Sequence, residues 1–244
     1  MEVHHSHSST GKGTKKKWTH YIWEFLMLFL AVFCGFMAEN IREHRLEIKM
    51  EQEYMSSLTR EIKKDIAQID SIQPENISLQ RSCDSLLIIL PRKEIISNSY
   101  PAYSLWSSVQ HGFSDFVPND GTIEQLRSGS GLRLIKKKDV VDKLMEYYKD
   151  IELIRTHQSV MNSYMLQPVN RPDLFDIPRL ENSKGNDRIP LLSNDETHIS
   201  RAYSYIQIWR GLLRVLNSAY FETAKAKGTD LLNTINSEYH LQND

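Results

Sequence analysis

The chain has 244 residues, a formal net charge of −1, 40% hydrophobic and 25% charged residues, and two cysteines. A balance this close to neutral supplies no broad positive field, which argues against nucleic acid as a partner. Cys34 stands inside an apolar run and Cys83 far outside it, so the two build no disulfide scaffold. Alone, Cys83 reads as a small buried hydrophobe.

Residues 1–17 are polar and basic, without apolar periodicity, and are expected to be disordered. His4, His5 and His7 lie close together there. Flexible imidazoles with no carboxylate or thiolate partner make a loose metal site, and incidental histidine richness is the preferred reading. Residues 11–15, GKGTK, lack the spacing and the preceding strand of a phosphate loop.

The stretch that organises the chain is residues 18–39, WTHYIWEFLMLFLAVFCGFMAE. No residue from Phe25 through Leu30 to Ala38 is charged, and Glu24 is the one charge between Tyr21 and Ala38. As a helix, residues 21–38 would rise about 27 Å, close to the ~30 Å hydrocarbon core of a bilayer. Trp18, Tyr21 and Trp23 cluster at one end, as amphipathic rings do at the headgroup layer. Lys12, Lys15, Lys16 and Lys17 precede them, and Glu39, Arg42, Glu43 and Arg45 follow the other end. The pattern predicts one transmembrane helix, with the lipid bilayer as its partner. A cleaved signal peptide would have a shorter apolar region and a small-residue cleavage site. Gly35-Phe36-Met37-Ala38 is a poor one, so an uncleaved signal anchor is expected. Glu24 has two readings: it reaches the interface and stays hydrated, or it is a functional intramembrane charge. Gly35 is a lone small residue without a GxxxG dimer pattern. The basic tail favours a cytoplasmic N-terminus and places everything after Glu39 on the outer side.

Residues 40–73 read as a stalk and first bundle helix. Ile41, Ile48, Met55, Ile62 and Ile69 recur every seven residues, but His44 and Glu51 occupy the second seam of a coiled coil. A solvated stalk should therefore become a core-facing helix near Tyr54. Pro74 should stop or kink that helix. Further helices are expected at residues 78–90, from Tyr100-Pro101 to a Gly112 cap, and briefly over residues 122–127. Asp115, Asp120 and Gly121 fail as a calcium loop, because earlier ligand positions fall on Phe116 and Pro118. Ser128, Gly129, Ser130 and Gly131, flanked by Arg127 and Arg133, form a bend that could hold an anion. A plain turn between helices is the preferred reading. Asp139 should cap a long helix, residues 168–193 should be a proline-rich loop, and Ser193 with Glu196 should open the last helices as a capping box. Ile199, Ala202, Ile206, Trp209, Leu213, Leu216 and Tyr220 make one stripe there. Tyr205, Ile208, Leu212, Val215 and Ala219 make a second, which predicts a helix covered from both sides and a break near Gly228. No period-2 run is long enough for a sheet. The fold class is all-α: a single N-terminal transmembrane helix, a stalk, and an irregular helical bundle over residues 74–240.

Several segments together resemble a family of uncharacterised single-pass membrane proteins common in Bacteroidetes. They are residues 1–5 (MEVHH), 23–44 (WEFLMLFLAVFCGFMAENIREH), 53–65 (EYMSSLTREIKKD) and 122–135 (TIEQLRSGSGLRLI), with the Tyr147-Tyr148 helix. The resemblance implies a bacterial inner-membrane protein with a helical domain, and it implies no activity.

HExxH, GxSxG, paired CxxC and phosphate-loop motifs are all missing, so no cofactor is expected. His111, His157 and His198 are isolated and could meet only through tertiary folding. Three functional readings follow: an anchored binding, sensory or scaffolding module with an unidentified protein partner, an accessory subunit of a membrane complex that pairs Glu24 with a basic helix, or an anchored enzyme of unknown chemistry.

Overall fold

The computed structural model describes residues 14–92, 95, 99–129, 131–166, 173–176, 178–179, 182 and 189–240, with side chains from 18 onward. The expectations on the tail before residue 14, including His4, His5 and His7, and on Ser130 lie outside the described residues, as does much of 168–193. All regular structure among the described residues is helical, so the chain is all-α.

Helix α1 runs Thr14–Ile89. It begins before the expected Trp18 because the intervening lysines are good helix formers. The boundary between two compact units, Met1–Gln52 and Glu53–Asp244, falls inside it, beside Tyr54. The first unit keeps its apolar side chains uncovered: Ile41 is 50% exposed and Ile48 42%. In the second unit the same heptad turns inward, and Met55, Ile62 and Ile69 are fully buried.

That heptad does not end at Pro74. Asn76, Cys83 and Leu90 continue it in the core, and Leu58, Asp65, Leu79 and Leu86 are buried three positions after its members. The expected stop at Pro74 and separate helix over residues 78–90 are therefore corrected to one helix. Proline removes a single N–H, which would have bonded the Asp70 carbonyl. Pro74 and Asp70 are both exposed, so water can take that carbonyl while the buried seam runs on.

Helix α2 spans Tyr100–Gln110, with Pro101 in its first turn, where the missing N–H costs nothing. Gly112 then adopts φ +88°, which turns the chain into an irregular segment, residues 113–120. Helix α3 (Gly121–Ser128) and a 3₁₀ turn (Gly131–Leu134) lead to helix α4, Lys138–Leu166. Asp139 lies in the first turn of α4 instead of capping it, where a carboxylate still complements the helix dipole.

Helix α5 (Glu196–Val215), a π-helical turn (Leu216–Phe221) and helix α6 (Glu222–Tyr239) form one continuous run. The cap is Asp195, whose carboxylate accepts from Thr197 N at 3.0 Å. Ser193 supports that cap by accepting from Asp195 N at 3.2 Å, so the expected Ser193–Glu196 box is corrected. Across the π turn Leu216, Asn217 and Phe221 are buried, and the core positions continue at Ala224, Gly228, Leu231 and Ile235.

The expected break at Gly228 is absent. A Cβ there would sit 3.1 Å from Tyr147, 3.2 Å from Ile66 and 3.3 Å from Ile62, so glycine lets α1, α4 and α6 approach closely. Helix α4 packs along α6 and α5, with Tyr164 stacked on Tyr205 at one end and Lys143 paired to Asp230 at the other. Trp209 is fully buried. The second stripe of α5 is covered only in part: Tyr205 is buried and Leu212 packs against the core, while Ile208 is 50% and Val215 38% exposed.

Candidate functional site

The anchor residues lie in the first unit. Trp18, Tyr21, Trp23, Glu24, Phe25, Leu30, Gly35 and Ala38 are all exposed, and nothing lies within 4 Å of a Cβ built on Gly35. Phe25, Phe29 and Phe33 stack along one helix face. Among the described residues, one helix is long and apolar enough to cross a membrane, and none of its 18-residue apolar window is buried by protein.

The proposed anion bend has a different geometry. Gly129 N is taken by Gln125 O at 3.3 Å, and Ser128 Oγ donates to the same carbonyl at 3.2 Å. Arg127 reaches back over the Tyr148 ring, 5.9 Å from its centroid, and Arg133 is exposed. Gly131 is buried, with its ideal Cβ 2.9 Å from Leu126 Cδ2 and 3.0 Å from Leu126 Cα, so a side chain there would clash with α3.

Two polar residues interrupt the α1 core seam, and both are met by the segment after α2. Asn76 Nδ2 donates to Ser114 O at 3.0 Å, and its Oδ1 accepts from Ser114 N at 2.8 Å. Asp65 accepts from Asn119 N at 2.8 Å, from Asn119 Nδ2 at 2.9 Å and from the Tyr147 hydroxyl at 2.9 Å. Glu61 takes Thr122 N at 3.1 Å and Thr122 Oγ1 at 2.7 Å, so it caps α3 from another helix. Arg155 pairs with Asp120 and with Glu152. Burial pushes the Asp65 carboxyl above its ordinary range, against the opposing pull of its Asn119 and Tyr147 donors. Burial first, and nearby carboxylates second, raise the Tyr147 and Tyr148 hydroxyls.

Beside the Asn76–Ser114 clasp opens a cleft of about 320 Å³. One wall is a stripe of α1, Glu75, Ser78, Leu79 and Ser82, whose spacing puts them on one helix face. The other carries Ser108 from α2 and the turn Gly112 to Ser114. A helix broken at Pro74 and resumed at Ser78 leaves Glu75 outside it, so the stripe does not show in the sequence. The spacing is its signal, legible only once the helix is known to continue.

The three histidines have separate surroundings. His111 bonds Ser107 O, His157 Nε2 lies 2.9 Å from Leu212 O, and His198 faces Asp195 and Asp173. No metal-binding group of His, Cys, Asp or Glu occurs among the described residues. Described parts of residues 173–192 dock on α2: Phe175 stacks on Trp106 at 5.1 Å, and Tyr103 OH donates to Pro190 O at 3.0 Å. No protein-family model, curated protein or solved structure matches the chain.

Proposed function

We propose that the protein is a membrane-anchored helical module that binds, senses or scaffolds. In this reading residues 18–39 cross a bacterial inner membrane, the N-terminus is cytoplasmic and the helical domain is periplasmic. The observation that carries it is the apolar window of α1, wholly uncovered by protein and flanked by aromatic rings and charge. Lipid is the solvent that makes such a surface favourable. The segment resemblance supports the same placement. Alkaline carbonate washing of membranes tests it: the full-length protein should stay in the pellet, and release into the supernatant would refute the anchor. Protease digestion of spheroplasts should degrade the helical domain, whereas a protected domain would reverse the orientation.

Glu24 favours a second reading, an accessory subunit of a membrane complex, since a carboxylate in an uncovered apolar helix is relieved by a basic partner. Glu24→Gln should then release the protein from crosslinked assemblies. Unchanged co-purification would remove that reading.

A further inference from the structure

We propose that the cleft between α1 and the α2 turn binds a small hydroxylated ammonium compound, of about one amino-sugar ring. The site belongs to the helical domain and does not depend on whether residues 18–39 enter a bilayer.

The lining carries one carboxylate and four serine hydroxyls and holds no Lys, Arg or His. Ser114 Oγ donates its proton to Glu75 Oε2 at 2.6 Å, and Ser82 Oγ donates to Ser78 O at 3.3 Å. The Asn76 amide is held by both backbone groups of Ser114. What remains for a ligand is the Glu75 carboxylate, the lone pairs of the serine hydroxyls and the O–H donors of Ser78 and Ser108, which suit a ligand's own hydroxyl oxygens. An ammonium group carries three donors and no acceptor, the complement of the Glu75 carboxylate and the serine lone pairs. Anions find no guanidinium or ammonium here to compensate their desolvation.

Leu79 and Phe113 add an apolar surface, and Phe113 is steadied edge-on against Trp209 at 5.8 Å. Ring C–H groups or a cation can lie on such a face. The site is also fixed before binding. The Asn76–Ser114 clasp and the left-handed Gly112 hold the far wall, so little ordering is needed on association. Its volume of about 320 Å³ falls at the small end of ligand pockets.

The test uses the full-length protein in detergent micelles at pH about 6, where such an amine is protonated. Glucosamine, glucose and glucuronate serve as near-isosteric probes carrying positive, zero and negative charge, with binding read by isothermal titration. Glucosamine should bind saturably, about fivefold tighter than glucose as a single exposed charge pair allows, and glucuronate should not bind. Glu75→Gln should reduce glucosamine to the level of glucose. Ser108→Leu, at an exposed α2 position, should fill the cleft and abolish binding without moving the melting temperature. The proposal is overturned if glucosamine fails to saturate, if glucose or glucuronate binds equally well, or if either variant binds as the wild type does.

Discussion

Asp65 allows shape to be separated from charge at one core position. Asp65→Ala deletes the acceptor of three hydrogen bonds. The Tyr147 hydroxyl is left buried without a partner, and such a donor costs about 1–3 kcal/mol. The two Asn119 donors are half-exposed, so water replaces part of their loss. The sum is about 2–4 kcal/mol, which in a domain of this size lowers the melting temperature by about 4–16 °C. Asp65→Asn keeps an oxygen for Asn119 and an amide that Tyr147 can accept from, while it removes a buried charge. It should stay within about 1 kcal/mol of wild type. The pH dependence has a definite sign. Burial raises the folded-state pKa of Asp65 above its unfolded value, so its contribution to stability is fully present below that unfolded value and is lost as pH rises through the raised one. Relative to Asp65→Asn, wild type should therefore gain stability as pH falls from neutrality toward 4, near the unfolded carboxyl value. Thermal melting of the detergent-solubilised protein, followed by circular dichroism, reads all three. If the alanine and asparagine variants melt together, the network does not hold the domain as described.

Other expectations are independent of that one. Pro74→Ala restores an N–H facing the Asp70 carbonyl and should stabilise by about 1–3 kcal/mol; a lowered urea midpoint would mean the proline shapes the helix. Tyr148 carries a buried hydroxyl with no hydrogen-bond partner among the described residues. Tyr148→Phe should stabilise by about 1 kcal/mol, whereas Tyr147→Phe, which breaks the bond to Asp65, should destabilise by about 1–3 kcal/mol. Equal shifts would contradict that assignment. Burial pushes the Cys83 thiol up to about 12. In a Cys34→Ser background a water-soluble maleimide at pH 8 should label Cys83 only after denaturation; rapid labelling of the native protein would place it at the surface.

The heptad of α1 was visible before the structure, and so was its change of environment, because charged residues surround Ile41 and Ile48 while apolar ones join Met55, Ile62 and Ile69. What misled was a local rule applied at Pro74. A proline costs one backbone bond, but the seam through Asn76, Cys83 and Leu90 keeps burying side chains, and the tertiary gain decides. Asp65 and Asn76 sit at seam positions where apolar residues are the norm, and that irregularity marks the segment docked on them. No pattern within one segment names Asn119, Ser114 or Thr122 as the partners, since those pairings arise only when the chain closes on itself. The same limit hid the cleft, whose two walls lie in separate helices. Gly228 predicts a helix break, whereas the residue serves close approach to Tyr147, Ile62 and Ile66.

The π-helical turn at Leu216–Phe221 sets how this chain can change length. Excising a single residue from that widened turn would let it tighten to ordinary α geometry, with Leu231 and Ile235 still seated. The same excision a few turns earlier would swing every downstream side chain by about 100° and carry both leucine and isoleucine out toward water.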